Sequence, residues 1–230
     1  MRRMKEKLGA VLAALALFGG LVCVLSVPRV IFSGLVDAYP LQTILSVAVL
    51  LAGLIITPRM RSRDAFRRIE TWVAAGNWIS VPVGRSWPWT SLLQTPDSVV
   101  VDRAWQSMVD DHLLITAGEL HWSDNALGGA VDGWVGRGVF VVVHLPVETE
   151  PMGIRRPHRT IGTSHRLDLP ALNDAFENGE IPPFTAIDRS LFTFEALEGS
   201  LRPEAVDSLI RRTLRCVHLL DLGPDLADDR

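Results

Sequence analysis

Two stretches of the chain, Leu8 to Val27 and Ala38 to Thr57, run for 20 residues each without a charge. At ~1.5 Å per residue each is as long as a helix needs to be to cross a ~30 Å hydrocarbon core. Both are expected to be transmembrane helices, which limits the first 57 residues to a helical hairpin. A cleaved signal peptide competes for the first stretch, since Met1 to Lys7 resembles a basic n-region and Val24-Leu25-Ser26 fits a cleavage site. The apolar run exceeds the ~7–15 residues of an h-region and a second run follows at once, which favours the span. A lipid-anchor reading fails on Val22, a bulky residue where a small one is needed before Cys23.

Charge around the hairpin orients it. Arg2, Arg3, Lys5 and Lys7 precede the first stretch, Arg59, Arg61, Arg63, Arg67 and Arg68 follow the second, and residues 28–37 hold only Arg29 and Asp37. Basic residues within ~15–20 positions of a span mark the cytoplasmic side, so both termini are expected there, with about 170 residues after the hairpin. Gly9, Ala13, Ala16 and Gly20 include small-xxx-small pairs that let helix backbones approach closely. Ser46 and Gly53 make the second helix the simplest partner, and a homo-oligomer through the first span is the sharper alternative. Two spans without an intramembrane charge argue against transport by a single copy.

Composition removes further classes. With 23 Lys+Arg against 26 Asp+Glu the net charge is −3, so the chain lacks the basic footprint of a duplex-binding protein and no nucleic-acid partner is expected. Only Lys5 and Lys7 are lysines, a bias read as genomic base composition. Cys23 and Cys216 have no disulfide or zinc spacing and are expected to be free thiols in a reducing compartment.

Residues 58–96 form a connection with an amphipathic start. On a helical wheel Ala65, Phe66, Ile69, Trp72 and Val73 share one side while Arg63, Arg67, Arg68 and Glu70 lie elsewhere, with Ser62 as an N-cap and Gly76-Asn77 as a stop. Trp72, Trp78, Trp87 and Trp89 cluster in the same region. Indoles favour headgroups and each nearby arginine adds ~1 kcal/mol of attraction to an anionic leaflet. Arg59, Arg61, Arg63, Arg67, Arg68, Trp72 and Trp78 are therefore candidate membrane-surface residues; the competing reading packs the same stripe on the following domain.

Residues 97–222 read as an α+β domain, followed by an acidic tail at 223–230. Thr95-Pro96-Asp97 looks like the start of a helix reaching His112, although Val99-Val100-Val101 also suits a strand. Leu113 to Trp122 suggests a strand, Asp124-Asn125 and Gly128-Gly129 a turn, and Val135 to Leu145 a strand whose run Val139 to Leu145 is apolar on both faces except at His144, ended by Pro146. A short helix is expected after Asp168-Leu169-Pro170, two or three short elements over Phe184 to Phe194, a helix from Pro203 with a stripe of Val206, Leu209, Ile210, Thr213 and Leu214, and a last strand over Cys216 to Leu222.

The strand Phe140-Val141-Val142-Val143-His144-Leu145-Pro146, the Leu172-Asn173-Asp174-Ala175-Phe176 segment and the preceding hairpin resemble a group of bacterial, mainly actinobacterial, two-span membrane proteins carrying a cytoplasmic domain of unknown function. The resemblance covers about half of the cytoplasmic part and implies an inner-membrane location; it implies no catalytic residue and no ligand. The Pro/Trp-rich stretch 78–96 departs from that pattern.

Recognised chemistry is sparse. The glycines from Gly128 to Gly138 precede a strand, whereas phosphate-cradling loops follow one. Asp110, Asp111, His112, Glu119, His121 and Asp124 are the best metal candidates, but they lack a ligand motif, so neither a metal nor another cofactor is expected. Arg155, Arg156, Arg159 and Arg166 fall in a stretch without an acid, a candidate site for an anion or an acidic partner, against a solvated or internally paired loop. The expectation is an inner-membrane protein whose cytoplasmic domain binds a partner protein or membrane-associated ligand. The alternative is a membrane-tethered enzyme, a hydrolase, with an acid/His site around 110–124 and no catalytic residue assignable.

Overall fold

Valine-rich sequence dictates the centre of the sheet. The computed structural model describes residues 64–109 and 113–223, within one unit, Arg61–Arg230. The expected spans, Arg59, Arg61, Arg63, the run Asp110-Asp111-His112 and the tail acids Asp225, Asp228 and Asp229 lie outside these residues. Among the described residues no helix is long and apolar enough to cross a membrane.

The domain is mixed α+β. Helix α1 (64–75) precedes β1 (Ile79–Ser80), β2 (Val99–Val109), β3 (Leu113–Trp122), β4 (Gly136–Arg155) and β5 (Arg159–Ile161). Helix α2 (Pro170–Glu177), β6 (Phe184–Ala196) and α3 (Pro203–Leu219) follow. All pairings between these strands are antiparallel, in the order β1-β2-β3-β4-β5, with β6 along the other edge of β4. The first half of β4 therefore lies between β3 and β6, and its last residues lie between β5 and β6.

Side chains alternate across a strand, so β4 feeds two cores. Val139, Val141, Val143 and Leu145 join Ile69 of α1, Leu172 of α2, and Val206, Leu209 and Cys216 of α3. Phe140 and Val142 join Trp87, Trp89, Trp122, Phe192 and Phe194, capped by Leu127, Ala130 and Val131 of the loop 123–135. Trp87 and Trp89 stack at 5.3 Å, and the Trp89 ring meets Phe140, Phe192 and Phe194 edge-on at 5.1, 5.7 and 5.1 Å. Such aromatic pairs add about 0.5–1.5 kcal/mol each beyond area burial. The Pro/Trp-rich connection is thus the second covering layer of the sheet.

Four expected elements are corrected. The helix start at Thr95-Pro96-Asp97 serves only the 3-10 turn Pro96–Ser98, and the β-branched run beyond it pairs with β3 as β2 instead of continuing as a helix to 112. β4 passes through Pro146 at a register irregularity between His144 and Thr149, where the proline's missing N–H breaks no ladder bond. Arg189 donates there to the carbonyls of Leu145 and Pro146, at 3.5 and 2.7 Å. Phe184 to Ala196 is one strand, and Cys216–Leu219 extends α3 because Thr213, Cys216, Val217 and Leu220 continue its buried stripe.

Gly118 marks the tightest approach in the sheet. A Cβ there would lie 2.1 Å from the Arg103 carbonyl oxygen and 2.6 Å from the Phe140 ring. Gly118→Ala is expected to destabilise the domain by about 1–3 kcal/mol, read as a lowered urea midpoint, with Phe140 forced from its place.

Candidate functional site

The described members of the sequence-selected sets have separate surroundings. Ile69 of α1 is buried, and Trp72, Val73 and Trp78 pack against the helix-side core. Trp72 stacks on Trp78 at 4.9 Å and donates its indole N–H to Asp207 at 3.0 Å, while Arg67 and Arg68 remain exposed. The indoles of Trp72 and Trp78 thus serve the domain core, and Ile69, Trp72 and Val73 of the stripe pack on the domain while Phe66 stays 47% exposed.

The basic segment is a hairpin whose arginines separate. Arg155 turns inward and donates to the Phe184 carbonyl at 2.9 Å and to the Thr185 hydroxyl, with burial lowering its pKa. Arg156 sits 3.7 Å from Asp132, and Arg166 donates to the Asp221 carbonyl at 3.3 Å. Arg159, opposite Arg155 in the ladder, is exposed. The cavity beside Arg156, about 510 Å³, also holds Asp132, Glu177 and Arg212, so its charges balance.

Of the acid/His group, Glu119, His121 and Asp124 are among the described residues. Glu119 is buried and held between Arg103, at 2.5 Å, and Arg137. His121 pairs with Asp102 at 3.1 Å on the surface, and Asp124 is exposed at a turn. Among the described residues no three His, Cys, Asp or Glu side chains come together as metal ligands.

A different cleft gathers polar groups, on the aromatic face of the sheet. It encloses about 390 Å³ and is lined by Arg85, Ser86, Trp87, His144, Asp188 and Ser190. Two of these residues, Arg85 and His144, meet at the fully buried Thr116, whose hydroxyl lies 3.3 Å from Arg85 Nη2, 3.3 Å from Gln106 Nε2 and 3.2 Å from His144 Nε2. One hydroxyl has one hydrogen and two lone pairs. Accepting from Arg85 and Gln106, Thr116 donates to His144, which fixes the imidazole as the Nδ1–H tautomer. Burial first, and the Arg85 charge second, lower the His144 pKa, consistent with a neutral ring.

Arg85 lies over the Trp87 ring at 4.3 Å, and its pKa is lowered by burial. Among the described residues no carboxylate comes within ion-pairing distance of it. Ser190 faces His144 across the β4–β6 ladder, but the imidazole Nε2 is committed to Thr116 and among the described residues no serine bonds the ring. The arrangement favours recognition of an anion over activation of a nucleophile. His144 stands out in the sequence as the one polar residue of the run Val139 to Leu145; Arg85, Gln106 and Thr116 carry no local signal.

Comparison with protein-family models, curated proteins and solved structures finds no match.

The titration of His144 checks the cleft. Its imidazole is expected to titrate below the ordinary value of about 6.5, and Arg85→Gln is expected to move it upward, measured by NMR. Because the folded pKa is the lower one, unfolding stability should fall as pH drops from about 6.5 towards the folded value and level off below it. His144→Gln removes that part of the slope.

Proposed function

We propose that the chain is an integral inner-membrane protein, with both termini cytoplasmic, whose domain binds an anionic ligand in the Arg85–His144 cleft. The twenty-residue apolar stretches 8–27 and 38–57 support the anchor, and flanking arginines support the orientation. One observation carries the ligand reading: Arg85 is a partly buried cation without a carboxylate partner among the described residues, in a cleft whose other walls offer hydroxyls, a neutral imidazole and one carboxylate, Asp188, that lies beyond ion-pairing distance of it. A desolvated guanidinium is costly unless paired, and a carboxylate or phosphate oxygen fits its planar donor fork. The volume of about 390 Å³ suits a small molecule or a headgroup.

Thermal unfolding of the full chain in detergent, with inorganic phosphate and acetate as probes, tests the ligand. A bound anion at a hundredfold excess over its Kd stabilises by about 2.7 kcal/mol. The wild type is expected to gain stability with at least one probe and Arg85→Gln to lose that gain, while Arg159→Gln keeps it. An equal response from Arg85→Gln places any anion elsewhere.

A further inference from the structure

We propose that the Arg85–His144 cleft takes a ligand that carries an ammonium group a few bonds from its anionic end, with the anion at Arg85 and the ammonium at Asp188. The inference rests on the anion reading above and names the class of ligand.

Two opposite charges line this one cleft without meeting. Arg85 is held by its place over the Trp87 ring, 4.3 Å from the centroid, and by its bond to the Thr116 hydroxyl. Asp188 is exposed on β6, where it faces Thr149 of β4 between two register irregularities. Its backbone is left-handed, with φ at 52°, a conformation that aspartate adopts more readily than most residues. Among the described residues no cation pairs with its carboxylate. The neighbouring Arg189 is occupied, donating to the carbonyls of Leu145 and Pro146.

The remaining groups sort by what they offer. With Nε2 accepting from Thr116, the His144 ring presents Nδ1–H, and among the described residues no acceptor takes it. Ser190 faces His144 across the ladder, and its hydroxyl can donate or accept. Arg85 and His144 therefore make a donor end that suits carboxylate or phosphate oxygens, whereas Asp188 only accepts. A simple anion satisfies the first end and is repelled by the second. A neutral polyol satisfies Asp188 and leaves the guanidinium unpaired. An ammonium group on the anion turns the repulsion into an attraction; a hydroxyl there would donate to Asp188 without offsetting its charge. In a cleft of about 390 Å³ a molecule of amino-acid size reaches both ends.

Isothermal titration calorimetry of the full chain in an uncharged detergent tests this with molecules that differ only in the ammonium: butyrate against γ-aminobutyrate, and ethyl phosphate against phosphoethanolamine. An ion pair near the surface is worth a factor of up to about five in affinity. In at least one pair the ammonium-bearing member is expected to bind the wild type at least threefold more tightly, and which pair responds separates a free amino acid from a phosphate headgroup. Asparagine also adopts the left-handed backbone, so Asp188→Asn is expected to erase the difference while butyrate and ethyl phosphate bind no more weakly. Arg85→Gln is expected to weaken every probe that binds. Ammonium-bearing members that bind no more tightly in either pair, or a difference that survives Asp188→Asn, overturn this inference and leave the anion reading standing. Absence of binding by all four probes, or binding undiminished by Arg85→Gln, overturns both.

Discussion

Everything in this domain follows from covering β4. From Val139 to Val143 the strand has no polar side chain, and all five residues are buried. A strand apolar on both faces cannot lie at a solvent surface, so the chain supplies two layers. Helices α1, α2 and α3 cover one side and present their stripes to Val139, Val141 and Val143. Indoles from the segment before β2 and the loop after β3 cover the other, around Phe140 and Val142. At about 25 cal/mol per Å² of apolar area, either layer left off would expose a large fraction of the net stability of such a domain.

The cleft is a by-product of how the second layer ends. Trp87 and Trp89 seal the aromatic core, but the backbone that carries them also brings Arg85 over Trp87 and onto Thr116. The pleat of β4 puts His144 on the same face, just beyond the last apolar residue of that face, Val142. A polar cluster built on a buried hydroxyl is geometrically fixed, because Thr116 satisfies three neighbours at once. That rigidity is what a small-ligand site requires.

Local signals made some of this legible and misled elsewhere. The valine run of β4 and the Pro203-Glu204 start of α3 announce themselves, because periodicity and capping act within a few residues. β2 was obscured since Thr95-Pro96-Asp97 carries helix-start chemistry that is spent on a single 3-10 turn. The end of α3 reads as a strand when Cys216–Leu222 is taken alone, and as a helix once the stripe from Val206 is followed. The basic segment was a compositional cluster that a hairpin splits, turning Arg155 inward while Arg159 stays outside. The cleft draws Arg85, Gln106, Thr116 and His144 from four separate segments, and only tertiary packing joins them. Its one visible trace was a histidine interrupting a valine strand.

Hydrogen exchange of the full chain tests the two-sided cover most directly. The account predicts that amides of 139–143 exchange only by global unfolding, and that the Trp87, Thr90 and Leu92 amides, which are hydrogen-bonded within the second layer, are protected well above an open chain. Exchange of residues 85–93 at the rate of an unstructured linker, with β4 still protected, would contradict it.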